Sequence, residues 1–248
     1  MNSFKTEFYR KLRRLLTIAE NFRIFRLGKR LGISPDLYLQ LNRPFITEAG
    51  IKTVIDIGAH RGKWSKTIHY LLPQAMIYCF EPIPSCFKLI NEKMKNIRMC
   101  KTFNIALGEK SEIVDFYRHD FTAASSFLNL SPKLARAFPY TEKRDLITVK
   151  VERLDDILSD DTLSEEIFVK IDVQGFEDKA ISGGKNTLSR AKFVLIELSY
   201  DQLYEGQPLF ADVYNQLTKL GFSYSGNLSQ LTHPVNDHVL QADALFLK

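Results

Sequence analysis

No run in this 248-residue chain approaches 18 apolar residues, so no segment is expected to span a membrane as a helix. Nor does any stretch read as a signal peptide. Cysteine is scarce: Cys79, Cys86 and Cys100 are an odd number without C-x-x-C spacing, which argues against a disulfide framework and a zinc site. Cys79 falls in an expected core strand, so a buried thiol in a reduced, cytoplasmic setting is the reading. His-rich ligand spacing is also missing, and no metal site is assigned. Internal repeats and low-complexity tracts are absent. What remains, 45% hydrophobic and 25% charged residues, suits one ordinary globular domain with a sizeable core.

Acidic residues are nearly missing from one region. Between Met1 and Leu31 only Glu7 and Glu20 stand against nine lysines and arginines, a surplus of seven. Because the whole chain carries +5, the rest carries about −2, and the basicity belongs to an N-terminal arm, residues 1–45, ahead of a folded body, 46–248. Phe4, Phe8, Leu12, Leu15, Ala19 and Phe22 recur at three and four residues, an apolar stripe on a helix with a cationic opposite face. The stripe has two readings. One is packing, against its own domain or a twin subunit in a homodimer. The other is peripheral contact of residues 1–31 with an anionic membrane or lipid-linked substrate. No basic groove with interleaved aromatics recurs elsewhere, so no nucleic acid is expected.

The most informative stretch is Thr53-Val-Ile-Asp-Ile-Gly-Ala-His-Arg-Gly62. Val54, Ile55 and Ile57 read as a buried parallel strand, Gly58 and Gly62 bracket a tight turn, and a helix follows with its N–H groups aimed above the turn. Asp56 is expected at the strand's carboxyl end, where open α/β sheets bind ligands. A second apolar strand, Ala75–Phe80, ends on Glu81, 19 residues after Gly62, where a carboxylate can accept both ribose hydroxyls. A dinucleotide site prefers G-x-G-x-x-G, but His60 stands at the second glycine, and Asp56 would repel a pyrophosphate. A cationic sulfonium would be attracted. That electrostatic argument favours S-adenosylmethionine over NAD, while a nicotinamide oxidoreductase and a non-catalytic scaffold stay as alternatives.

Further along, Ser85 is expected to cap a helix through Lys95, and Arg98–Ile105 to form a third strand, with Asn104 at its end beside the adenine edge or capping a turn. Periodicity fades from His119 to Asp145, as in an insertion or lid. Ile167–Ile171 repeats the first motif: apolar strand, then Asp172, a glycine turn at Gly175, and acidic Glu177 opening a helix. In a doubly wound sheet this strand neighbours the Asp56 strand. Glu197 lies within another apolar run, Phe193–Leu198, and Phe222–Tyr224 with Ala242–Leu247 reads as a final antiparallel pair.

These pieces resemble the FkbM-type S-adenosylmethionine-dependent methyltransferases: Val54–Gly62, Phe80-Glu-Pro82, Asn104-Ile-Ala-Leu-Gly108, Ser125-Ser126, Arg153–Ile157, Val169–Glu177 and Ile196-Glu197. The arm lies outside the resemblance. The family implies a Rossmann-like seven-stranded α/β sheet, order 3-2-1-4-5-7-6, making 46–248 a methyltransferase domain. It also implies O-methylation of a small-molecule, sugar, glycolipid or secondary-metabolite hydroxyl. Carried over by position, Asp56, Gly58, Ala59, His60 and Gly62 would hold the methionine moiety, Glu81 the ribose and Asn104 the adenine edge. Asp172 would lie nearest the methyl group. The departure is His60-Arg61, more basic than a usual small or amide pair, with Arg61 able to meet the cofactor's carboxylate. An acceptor hydroxyl must lose a proton, and Asp172 and Glu177 are the first candidates for that base, with Glu197 and His119 behind.

Overall fold

A computed structural model describes residues 11–12, 14–132, 138, 143–158, 163 and 165–248. In chain order the strands are β1 (Thr53–Ile57), β2 (Met76–Phe80), β3 (Cys100–Phe103), β4 (Ala106–Leu107), β5 (Glu112–His119), β6 (Arg144–Glu152), β7 (Ile167–Ile171), β8 (Ala191–Ser199), β9 (Ser223–Thr232) and β10 (Val239–Leu247). Seven of them form one sheet, β3-β2-β1-β7-β8-β10-β9. Numbered within that sheet alone, the order is 3-2-1-4-5-7-6, the expected class I methyltransferase arrangement. β4, β6 and β5 make a separate three-stranded sheet.

All five residues of β1 and of β7 are buried, because helices cover both faces of a parallel sheet. Alternation divides them between two cores. Ile55, Ile57 and Val169 join one apolar cluster, while Val54 and Phe168 join the other, under the helix Lys63–Leu71.

Three boundaries differ from the sequence reading. The third strand is only Cys100–Phe103. The helix Pro84–Met94 opens on Pro84, with Ile83 extended before it, so Ser85 is not its cap; a proline's fixed φ suits the first helical position. The last hairpin is longer than expected, since β9 is largely exposed on its outer side and shows weak alternation.

At the N-terminal side, the helix Phe22–Leu31 ends on Gly32 in the left-handed region, and the helix Pro35–Leu41 packs on Lys63–Leu71. Leu41 and Ile46 are buried in the second core cluster. Leu12, Leu15, Leu16 and Phe22 are 42–63% exposed; Phe4 and Phe8 of the same stripe lie outside the described residues. Among the described residues no helix is long and apolar enough to cross a membrane. The three cysteines are free thiols.

Candidate active site

Register places the chemistry. β1 ends with Ile57 opposite Phe80 of β2 and Ile171 of β7, Ile171 lies opposite Ile196 of β8, and Phe80 opposite Phe103 of β3. The next residue on each strand therefore falls in one row at the carboxyl edge: Asn104, Glu81, Gly58, Asp172 and Glu197. Asp243 of β10 pairs with Glu197 and extends the row.

The Gly58–Gly62 turn is tightly wound. Gly58, His60 and Gly62 all have positive φ (80°, 51° and 66°), a strained choice for the non-glycine His60. The amides of Gly58 and Ala59 donate to the Phe80 carbonyl at 3.0 and 2.9 Å. The His60 amide donates to Glu81 Oε2 and the Ile83 amide to Glu81 Oε1, each at 2.8 Å. These bonds fasten the Glu81 carboxylate between the turn and the β2 end. Burial pushes Glu81 up to about 7, against the stabilising pull of those two amides.

A cavity of about 360 Å³ opens over this row, walled by Gly58, His60, Glu81, Asp172, Gln174 and Glu197 on its polar side. Ile83, Ile105, Leu107, Phe116 and Phe127 give it an apolar end. The short turn Thr122–Ala124 roofs it within the stretch expected as a lid. His60 Nε2 meets Thr122 Oγ1 at 2.7 Å, and burial together with Arg61 lowers the imidazole to about 4, so it is neutral there. Across the glycine turn lies a smaller hollow of about 170 Å³. It shares Gly58, His60 and Asp172 with the first and adds Arg61, Lys63 and Lys170.

Asp172 stands between the two hollows. Burial alone would raise its pKa, but Lys170 Nζ at 3.1 Å and Gln174 Nε2 at 2.8 Å outweigh burial and hold it below the ordinary value. Lys170 is buried, yet its proton is held firmly: burial opposes the charge, and Asp172 and Asp56 more than offset it. Glu197 also faces the cavity, its Oε2 receiving Gln174 Nε2 at 2.7 Å and Gln241 Nε2 at 2.9 Å. Burial, then Asp172 and Asp243, push its carboxyl well upward.

Five residues marked from the sequence sit elsewhere. Asp56 is wholly buried and lines neither hollow; it accepts from Ser65 Oγ at 2.5 Å and faces Lys170 Nζ at 3.6 Å. Burial raises its pKa despite both partners. Asp56 therefore lies on a sheet face beneath the hollows rather than in their walls, because a side chain inside a strand points to a sheet face rather than to the sheet edge. Glu177 is buried under the next turn, where its carboxylate accepts from the amides of Val173 (3.3 Å) and Gly175 (3.1 Å), outside the cavity wall. Asn104 spends its amide on the carbonyls of Glu81 and Pro82, at 2.9 and 3.0 Å, so it clamps a turn while its neighbour Ile105 reaches the cavity. Gly62 begins the helix Lys63–Leu71 and touches neither hollow, whereas Ala59 borders the smaller one. His119 is buried away from the wall. The reading missed Lys170, Gln174, Tyr204 and Gln241 as functional residues. Their signal was slight: a lysine inside an apolar strand, and a glutamine just before a turn glycine. Among the described residues, no three His, Cys, Asp or Glu side chains gather as a metal site.

Residues 56–224 match the family model described as the methyltransferase FkbM domain. A similar curated protein is the 2-O-methyltransferase NoeI of Sinorhizobium fredii (strain NBRC 101917 / NGR234). It is 28% identical over 201 residues, covering 78% of this chain and 82% of its own. Among solved structures, a precorrin-6y C5,15-methyltransferase from Geobacter metallireducens GS-15 aligns with 85% of this chain and 82% of its own, at 13% identity and a TM-score of 0.41. The Aeropyrum pernix fibrillarin with bound S-adenosyl-L-methionine aligns with 78% of this chain and 66% of its own, at 11% identity and a TM-score of 0.42.

Proposed function

The chain belongs to the FkbM family of S-adenosylmethionine-dependent methyltransferases, and on that premise we propose that it methylates a hydroxyl oxygen of a sugar, glycolipid or secondary metabolite. The observation that carries this reading is the row of edge residues around one cavity, with ionised Asp172 between the two hollows. The donor set suits a ligand that is cationic at sulfur and zwitterionic at its amino-acid end. Asp172 would meet positive charge, Arg61 and Lys63 across the turn the carboxylate, Glu81 the ribose hydroxyls, and the apolar end near Ile83 and Phe116 the adenine. A pyrophosphate would instead face Asp172 with the wrong sign, which disfavours the nicotinamide reading, and an open cavity disfavours a mere scaffold.

When bound, S-adenosylmethionine supplies an electrophilic methyl on a sulfonium, an excellent leaving group. The protein's part is to align the acceptor, exclude water and receive a proton. A similar protein that is a 2-O-methyltransferase supports oxygen as the atom modified. Incubation with labelled S-adenosylmethionine and extracts of cell glycans and lipids, read by mass spectrometry, should show a methyl gained on a hydroxyl. Calorimetry should show S-adenosylhomocysteine binding and NADH not; the reverse preference would overturn the proposal.

Glu81 sets a pH dependence. Ribose hydroxyls donate to its ionised form, and burial pushes its pKa up to about 7. S-adenosylhomocysteine affinity should therefore rise as pH increases through neutrality and level off above it. Glu81→Gln should bind at least about tenfold more weakly and lose that slope, about 1.4 kcal/mol, close to the lower end for one charge-assisted hydrogen bond. A slope that persists in Glu81→Gln would assign it to another group.

We also propose that the first part of the basic N-terminal arm, residues 1–31, is a surface element, whereas the helix Pro35–Leu41 ties the arm's second part to the methyltransferase domain. Exposed Leu15 and Leu16 in the helical stretch before Asn21, with exposed Phe22 opening the cationic helix Phe22–Leu31, support peripheral contact with anionic lipid. Deleting residues 1–31 should abolish retention on anionic vesicles; unchanged partition would remove the idea.

A further inference from the structure

We infer that Glu197 is the base that accepts the proton of the acceptor hydroxyl, and that Gln174 is the positioning residue that holds it apart from Asp172. The inference rests on the O-methyl-transfer reading and assigns its missing proton step to a residue at the cavity wall.

Gln174 is a non-glycine residue held at φ 55°, a conformation that needs support from its surroundings. The support is visible. Its backbone carbonyl accepts from Ser126 Oγ at 2.6 Å, and its side-chain carbonyl accepts from Tyr204 OH at 2.8 Å. With the oxygen fixed on Tyr204, the NH₂ group must face the carboxylates. It donates to Asp172 Oδ1 at 2.8 Å and to Glu197 Oε2 at 2.7 Å. One amide thus spans two acids in one cavity wall.

The two acids live in opposite surroundings. Asp172 is bound to Lys170 as well as to Gln174, which stabilises its ionised form and makes it a weak proton acceptor. Glu197 is faced by Asp172 at the end of β7, Asp243 on β10, Glu177 in the helix after the turn, and the phenol of Tyr204, with Lys170 of opposite sign. That surplus of negative neighbours favours proton uptake by Glu197. Carboxyl pairs whose surroundings push them apart in this way divide the work: one stays charged, the other exchanges protons. Gln174 and Gln241 occupy Oε2, and among the described residues no hydrogen bond reaches Oε1. Oε1 is therefore the oxygen open to a ligand. Two other nearby acids with raised pKa values are already engaged: Glu177 spends its carboxylate on turn amides outside the wall, and Glu81 holds both its oxygens on the His60 and Ile83 amides.

The acceptor oxygen forms a bond to the methyl carbon while the carbon–sulfur bond breaks, sulfur keeps that electron pair, and the hydroxyl proton passes to Glu197 Oε1. Positive charge entering the cavity favours ionised Glu197, so the charged donor should expel a proton that the neutral product allows back.

Calorimetry in two buffers of different ionisation enthalpy, repeated across neutral pH, measures that proton. In the wild type, S-adenosylmethionine should release more protons than S-adenosylhomocysteine at some pH, by up to about one per site. Glu197→Gln should erase the difference while keeping S-adenosylhomocysteine affinity within about threefold, and should slow turnover of the acceptor found above by about 100-fold or more. Gln174→Ala should move the half-release point to higher pH, because it removes a donor to the ionised form; a merely structural role would weaken affinity without moving it. Equal release by both ligands at every pH, or a difference that survives in Glu197→Gln, overturns the inference. If the wild type fails to bind S-adenosylhomocysteine at all, the cofactor reading itself falls and this inference with it.

Discussion

Lys170→Met should lower the free energy of unfolding by about 3–5 kcal/mol, the range seen when one partner of a buried ion pair is removed. Lys170 is 7% exposed and stands 3.6 Å from Asp56, which is wholly buried. Without the ammonium, Asp56 keeps only Ser65 as a partner for its charge. Its carboxyl is already above the ordinary value of 3.8, first because of burial, and the loss of Lys170 raises it further. The sign of the pH effect follows. A group whose native pKa is raised binds more protons folded than unfolded, so stability falls as pH rises from the ordinary aspartate value towards the native one. The variant should therefore be least handicapped in mild acid and most handicapped above the raised pKa. Asp56→Asn on the Lys170→Met background should recover a large part of the loss, since a neutral amide can still accept from Ser65 without a buried charge. Urea unfolding of the two single variants and the double variant, at mildly acidic and neutral pH, closes the cycle. A Lys170→Met protein within about 1 kcal/mol of wild type, or an Asp56→Asn change that deepens the defect, would refute the account.

That ion pair also shows where sequence reading stopped. Strand, glycine turn and helix were legible at Thr53–Gly62 and again at Ile167–Glu177, because apolar runs and turn glycines are local signals. So was the sheet order implied by the family resemblance. The failure concerned which carboxylates face the cavity. Asp56 and Asp172 look alike in sequence, each an acid beside branched apolar residues. Yet Asp56 is followed by Ile57, still paired in register, while Asp172 follows Ile171, the last paired residue of β7. Being in the strand turns one carboxylate onto a sheet face; being one residue past it turns the other to the edge. Glu81 obeys the same rule after Phe80. Glu197 lies inside β8 but one position beyond the last pair with β7, so register rather than strand length exposes it. Tyr204 and Gln241 reach the cavity from segments with no periodic link to it, and only the folded chain brings them to Gln174 and Glu197.

The row depends on a close backbone approach that makes Gly58 the most sensitive position in the site. A Cβ on Gly58 would lie 1.8 Å from the Asp172 carbonyl oxygen, a backbone atom that cannot rotate aside. The residue also has φ +80°, where a side chain costs about 1–2 kcal/mol before any clash. Gly58→Ala should therefore lower stability by about 3 kcal/mol or more and force the β1 turn away from the β7 end, moving Asp172 with it. Because His60, Glu81 and Asp172 are all tied to that turn or its neighbour, S-adenosylhomocysteine should bind at least about 100-fold more weakly, near 2.7 kcal/mol. Gly62→Ala is the internal control. Its φ of +66° imposes a similar conformational cost, but the nearest atom to its Cβ is the Ile90 side chain at 3.4 Å, an ordinary contact, and it borders neither hollow. That variant should lose only about 1–2 kcal/mol and keep most of its cofactor affinity. Urea unfolding and calorimetry on both proteins separate backbone conformation from collision. If Gly58→Ala matches Gly62→Ala in stability and still binds S-adenosylhomocysteine normally, the β1 and β7 ends do not form the rigid cradle on which the cofactor assignment depends.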